Sequence, residues 1–165
     1  MQKLIRLFRD CCGLGARVLG WLESPLLLAI RLYWGWQFAQ DGWGKLHHLD
    51  RVTTFFGSLN LPAPHATAVF VAIIEFVGGI LLTAGIATRL TALVLFVNMT
   101  VAFWTAEKEA FLGVISNPDK FQAADAYTYW FAALLIMILG PGLIAIDTLI
   151  AKLLGREAQG VKREL

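Results

Sequence analysis

The chain has 165 residues, 58% of them hydrophobic and 16% charged, with a mean hydropathy of +0.64. Soluble domains carry roughly 45–50% apolar and about 25% charged residues, so a soluble fold of this size cannot house the apolar excess. A formal net charge of +2 points neither to a nucleic-acid partner nor to an acidic substrate.

A membrane span needs about 20 apolar residues, and four such stretches with short loops use up the chain. The expected fold is all-α: a four-transmembrane-helix bundle over residues 23–150. An amphipathic interfacial helix over residues 1–22 precedes it and a charged cytoplasmic tail over residues 151–165 follows. No second domain fits.

In residues 1–22, Leu4, Ile5, Phe8, Cys11, Cys12, Leu19 and Leu22 share one helical stripe, and Lys3, Arg6, Asp10 and Arg17 lie opposite. An apolar face backed by a basic one lies in the membrane interface rather than across it. Trp21 suits the headgroup layer. Cys11 and Cys12 are the only cysteines, so neither a disulfide framework nor a cysteine zinc site is expected. Adjacent cysteines can close a strained ring disulfide, but they read here as two small apolar residues on a helix face. A small-residue cleavage site is missing after this segment, so no cleavable signal peptide is expected.

The first span is expected over 25–43, with Pro25 in its first turn, where a missing N–H costs nothing. A short interfacial helix follows, with Val52, Phe55, Phe56 and Leu59 at helical spacing, Asp50 as its cap and Asn60 to Pro64 as its end. The second span, 66–87, and the third, 90–106, are joined by so short a turn that they form an antiparallel hairpin. Residues 107–125 read as a polar loop of mixed charge. The fourth span, 126–146, is interrupted by Gly140-Pro141-Gly142.

Lysine and arginine placement sets orientation. The N-terminal segment, the turn at Arg89 and the tail carry nine basic residues against four (Lys45, Arg51, Lys108 and Lys120) on the other side. Both termini are therefore expected in the cytoplasm of a multi-pass protein of the cell (inner) membrane.

Charges inside a span cost roughly 2.5–3.5 kcal/mol each on insertion scales, which makes them functional candidates. Arg31 and Asp41 fall in the first span and Glu75 in the second, with Gln37 and Asn98 as neutral companions and Asp147 at the end of the fourth. Arg31, Gly35, Phe38, Gly42 and Lys45 share one stripe; Glu75, Gly78, Gly79, Leu82 and Ile86 share another. Glycines beside a charge let helices approach closely, so both stripes are expected to face the bundle interior. Two compatible readings follow. Arg31 and Glu75 pair and fix which helices touch, or Arg31, Gln37, Glu75 and Asn98 line a mid-membrane pocket for a quinone or small anion, with Glu75 exchanging protons.

His47, His48 and His65 precede the second span. Three histidines could ligate a metal, but their spacing fits no zinc pattern, and no metal is expected. The six tryptophans lie mostly near span ends, as an interfacial belt would place them. Trp34 and Trp36 lie deeper, to pack the core or flank a ring-shaped ligand. No phosphate-binding loop, nucleophile elbow, HExxH or dinucleotide fingerprint is present.

The run Arg31-Leu32-Tyr33-Trp34-Gly35, followed by Asp41-Gly42-Trp43-Gly44-Lys45-Leu46, resembles the start of DoxX-family membrane proteins. So does Ile74-Glu75-Phe76-Val77-Gly78-Gly79-Ile80-Leu81-Leu82 with Gly85, Thr88 and Arg89, and Gly140-Pro141-Gly142 before Asp147 resembles that family's end. The resemblance covers residues 26–148. It implies a four-helix membrane bundle and a link to redox chemistry, because relatives include the membrane subunit of a thiosulfate:quinone oxidoreductase and membrane partners in oxidant-defence assemblies. The family's characteristic Arg, Lys and Glu would correspond to Arg31, Lys45 and Glu75. The candidate ligand-binding set is thus Arg31, Gln37, Lys45, Glu75 and Asn98, with a quinone as the candidate cofactor and no catalytic residue assigned. The expected partners are the lipid bilayer and a redox protein; a homo-oligomer is compatible with the sequence. The alternative is a non-enzymatic scaffold, anchor or transporter for a partner protein.

Overall fold

The computed structural model describes the backbone of residues 2–161 and the side chains of residues 22–154. Among them are eight helices and no strand: α1 (Gln2–His47), α2 (Leu49–Ser58), α3 (Pro64–Ala84), α4 (Thr88–Ala106), α5 (Lys108–Leu112), α6 (Pro118–Gln122), α7 (Asp125–Leu139) and α8 (Ile146–Val161). Helices α1, α3, α4 and α7 pack in cyclic order, each against two neighbours, and α2 lies along α3.

The ring closes because the long helices turn small and apolar residues toward one another. On α3 the buried set is Ala68, Ala72, Glu75, Gly79 and Leu82, the seam pattern of helices that cross at a shallow angle. The tightest contact joins α1 to α3. A Cβ added to Gly79 would lie 2.6 Å from the Gly35 carbonyl oxygen, and one added to Gly42 would lie 2.7 Å from that of Ala72. Only glycine permits backbones this close. The glycine-bearing stripes of the two expected spans therefore do face each other, although Ile86 lies partly exposed.

Among the described residues two helices, α3 and α4, are long and apolar enough to cross a membrane; α7 is apolar but has only 15 residues. Their outer faces are covered with bare apolar side chains: Phe70, Ile73, Val77 and Ile80 on α3, and Leu90, Val97 and Val101 on α4. Such a surface on a water-soluble monomer would be an aggregation liability.

Several expectations need correction. No helix begins at Ser24-Pro25: α1 runs unbroken for 46 residues with Pro25 inside it. Proline removes one backbone hydrogen bond, and helix on both sides tolerates the loss. The side chains of residues 1–21, including Cys11 and Cys12, and those of residues 155–165 lie outside the described set. Asp50 does not cap α2; His48 holds that position, without a side-chain bond, and Asp50 sits in the first turn. Residues 107–125 are not a plain polar loop. They form α5 and α6, folded over an aromatic cluster in which Phe103 stacks on Phe121 at 5.2 Å. Glu107 accepts from the backbone N–H groups of Asp125 (3.1 Å) and Ala126 (3.3 Å), and so caps α7 from outside. Within the expected fourth span, α7 stops at Leu139, where Gly140 and Gly142 adopt φ values of 88° and 72°. The tail is helical as far as Val161.

Candidate functional site

Glu75 is 1% exposed, in the middle of α3. One carboxylate oxygen forms an ion pair with the Lys45 ammonium from the last turn of α1. The other accepts from the Asn98 amide on α4 at 3.2 Å. Three helices thus each contribute one polar group to a single buried point. The Lys45 side chain retains 32% exposure, so it bridges the surface and the buried acid. Asp41, one turn before Lys45, is near enough to act electrostatically on both Glu75 and Tyr129. An aromatic wall stands beside it: Tyr129 meets Phe38 at 4.9 Å and Trp34 at 5.2 Å, both edge to face. Gln37 is half-buried and is not bonded to this cluster. Trp36 is exposed.

The expected Arg31–Glu75 pair does not form. Every helical side chain leans toward its own N-terminus. Helices α1 and α3 run antiparallel, so Arg31 leans toward one end of the bundle and Glu75 toward the other. Arg31, also 1% exposed, donates instead to carbonyls. Its Nε reaches Leu82 at 3.1 Å and its terminal nitrogens reach Ile144 at 3.1 Å, Thr83 at 3.5 Å and Pro141. Leu82 and Thr83 belong to the last turn of α3, at the negative end of the helix dipole, where the Leu82 carbonyl also accepts from the Gly85 N–H at 3.2 Å.

Asp147 completes this second polar centre. Its carboxylate accepts from the N–H groups of Ala87 and Thr88, each at 2.7 Å, and from the Thr88 hydroxyl at 2.8 Å. It thereby caps α4 from a distant part of the chain and holds Ala87 at a φ of 46°, uncommon for a residue other than glycine. Burial alone would raise the Asp147 pKa; the bonds from Thr88 and Ala87 and the nearby Arg31 charge outweigh it and hold the group below the usual carboxylate range. Arg31, from the middle of α1, ties the end of α3 to the α7–α8 connection, and Asp147, from the first turn of α8, ties that helix to the start of α4, which is a structural task.

His47 and His48 are exposed, and each ring bonds through Nδ1 to a carbonyl of the last turn of α1, Trp43 and Gly44 respectively, at 2.9 Å. No cluster of three metal-ligating side chains exists among the described residues.

With Arg31, Lys45 and Glu75 in place on α1 and α3, the comparison with known families is decisive: the DoxX family model matches residues 26–108, just over half of the chain. The chain belongs to the DoxX family. It is also similar to a protein of Bacillus subtilis (strain 168) named "Putative oxidoreductase CatD", with 27% identity over 125 residues, 76% of this chain and 87% of that protein. No solved structure matches. DoxX membership and the outward apolar faces of α3 and α4 make this a membrane protein. The matched region holds the whole Glu75–Lys45–Asn98 cluster and Arg31; Asp147 lies beyond it. Sequence reasoning named all three members of the cluster but paired Glu75 with the wrong cation. It left Asp41 and Tyr129 out of the site, and the only signal for them was an aspartate within an apolar stretch.

Proposed function

We propose that this DoxX-family chain is the membrane subunit of a redox assembly. In this reading it crosses the cell (inner) membrane four times, through α1, α3, α4 and α7, with both termini in the cytoplasm. Glu75, Lys45 and Asn98 bind the polar head of a quinone or a small anion and exchange protons with it.

The observation that carries the reading is a fully buried carboxyl joined to a half-exposed cation. An ionisable group inside a span is costly and marks a ligand or proton path by default. Lys45 and Asn98 are hydrogen-bond donors suited to carbonyl or anion oxygens, and Tyr129, Phe38 and Trp34 offer ring faces and edges. Quinone reduction consumes two protons with two electrons. This chain's residues would supply the binding groups and a proton route through Glu75 and Lys45, and the electrons would come from a partner redox protein. The oxidoreductase name of the Bacillus subtilis relative supports the same class. The five-residue candidate set narrows to three, because Arg31 is engaged by carbonyls and Gln37 stands apart.

The test is purification in mild detergent, followed by identification of co-purifying small molecules and proteins for the wild type and Lys45→Met. A quinone present in the wild type and depleted in the variant supports the proposal; equal amounts in both remove the cluster from binding. A second reading, a non-enzymatic scaffold or anchor, draws on the apolar tip after α5, where Leu112, Val114 and Ile115 are bare and Ile115 is 93% exposed. Such a tip suits contact with a partner protein.

A further inference from the structure

A groove of about 450 Å³ opens at the Arg31 end of the bundle, between α1, the last turn of α3 and the start of α8. Its walls are apolar, built from Leu28, Ala84, Ile144, Ile146 and Leu149, and Lys152 stands at the rim. The other polar groups there are occupied. Arg31 donates to backbone carbonyls, and the Thr83 hydroxyl donates to the Gly79 carbonyl at 2.8 Å. Lys152 forms no ion pair among the described residues. The groove therefore offers an apolar slot and one cation.

Helix α8 indicates what fills it. Ile146, Leu149, Ile150, Leu153 and Leu154 fall at helical spacing and all are exposed. Asp147 and Thr148, on the opposite side, are bonded to the bundle through Thr88 and Gly142. A 16-residue helix is too short to span a bilayer. An apolar stripe left exposed along one side of the groove and flanked by lysine is the design of a helix that lies in the headgroup layer. Further basic residues follow in the sequence at Arg156, Lys162 and Arg163.

We propose that this groove binds an anionic phospholipid, with one acyl chain against Leu28, Ile144 and Leu149 and the phosphate on Lys152. Helix α8 would seat the lipid against the bundle. The inference rests on the cytoplasmic, membrane-surface placement of α8 in the four-span reading, and goes beyond it in naming a ligand.

The experiment uses the full chain in detergent micelles containing equal amounts of phosphatidylglycerol and phosphatidylcholine, with retained lipid counted by native mass spectrometry. The expected result is a roughly fivefold preference for the anionic lipid, the share of one lysine near a charged headgroup. Lys152→Gln, which removes only the charge, should abolish the preference, and Lys152→Arg should keep it. Equal retention of both lipids by the wild type, or an undiminished preference in Lys152→Gln, overturns the proposal. Inorganic phosphate alone should leave the melting temperature unmoved; a shift would assign the rim to a free anion instead. Reporter fusions at the C-terminus check the span count separately, so an external C-terminus would sink the four-span reading without reference to lipid retention.

Discussion

Removing one partner of the Glu75–Lys45 pair should have opposite consequences for the two residues left behind. Lys45→Met leaves Glu75 at 1% exposure with only the Asn98 amide for company. A stranded buried charge costs roughly 3–5 kcal/mol, unless the carboxyl takes up a proton. Glu75→Leu leaves Lys45, whose side chain is already 32% exposed and can turn its ammonium to water. That loss should stay near the value of a partly exposed pair, about 1 kcal/mol. For a chain of this length a kilocalorie moves the melting temperature by roughly 2–4 °C. Lys45→Met should therefore melt roughly 6–20 °C lower, and Glu75→Leu only roughly 2–4 °C lower. The double variant should resemble Glu75→Leu rather than the sum, because no charge is stranded. Tryptophan-detected melting in one detergent measures all three. Equal losses for the single variants that add in the double would refute a direct, asymmetrically buried pair.

Gly42→Leu should separate α1 from α3 and lower expression and melting temperature together, since even a Cβ would lie 2.7 Å from the Ala72 carbonyl oxygen; unchanged melting would contradict the packing. Asp147→Asn should destabilise the α3–α4 turn at neutral pH. Its depressed folded pKa means the carboxylate's contribution is full above its unfolded value and is lost as pH falls through the lower folded value. The melting gap between wild type and Asp147→Asn should thus hold from neutral pH down to about pH 5 and close below about pH 4; a gap that widens in acid would reverse the assignment. Ala87→Gly should raise stability by about 1 kcal/mol, because it relieves a left-handed alanine; melting curves decide.

The sequence made much of this fold legible through spacing. Glycines at 35, 42 and 79 beside charged residues marked the α1–α3 contact, and the short gap expected between spans 66–87 and 90–106 marked the hairpin, whose turn lies slightly earlier, at residues 85–87. Glu75 and Asn98 were named because polar groups in apolar runs are conspicuous, and Lys45 because it shares the Arg31 stripe and matches the family's characteristic lysine. The pairing was not legible, because depth along a helix axis ignores the N-terminal lean of side chains, which in antiparallel helices carries Arg31 and Glu75 apart. The aromatic cap built on Phe103 and Phe121 was hidden because its segments, α5 and α6, have five residues each. The amphipathic character of α8 was masked by the basic residues near the chain end, which read as a solvated tail.

The central claim is that Glu75 and Lys45 serve a ligand as well as the fold. The most direct measurement is an equilibrium titration of the protein in lipid nanodiscs with a short-chain quinone, followed by aromatic emission, for the wild type, Glu75→Gln and Lys45→Arg. The account predicts saturable quenching in the wild type, weakening of at least tenfold in Glu75→Gln, and retained binding in Lys45→Arg. Indistinguishable curves for wild type and Glu75→Gln, with both proteins folded, would contradict it and leave the cluster as architecture.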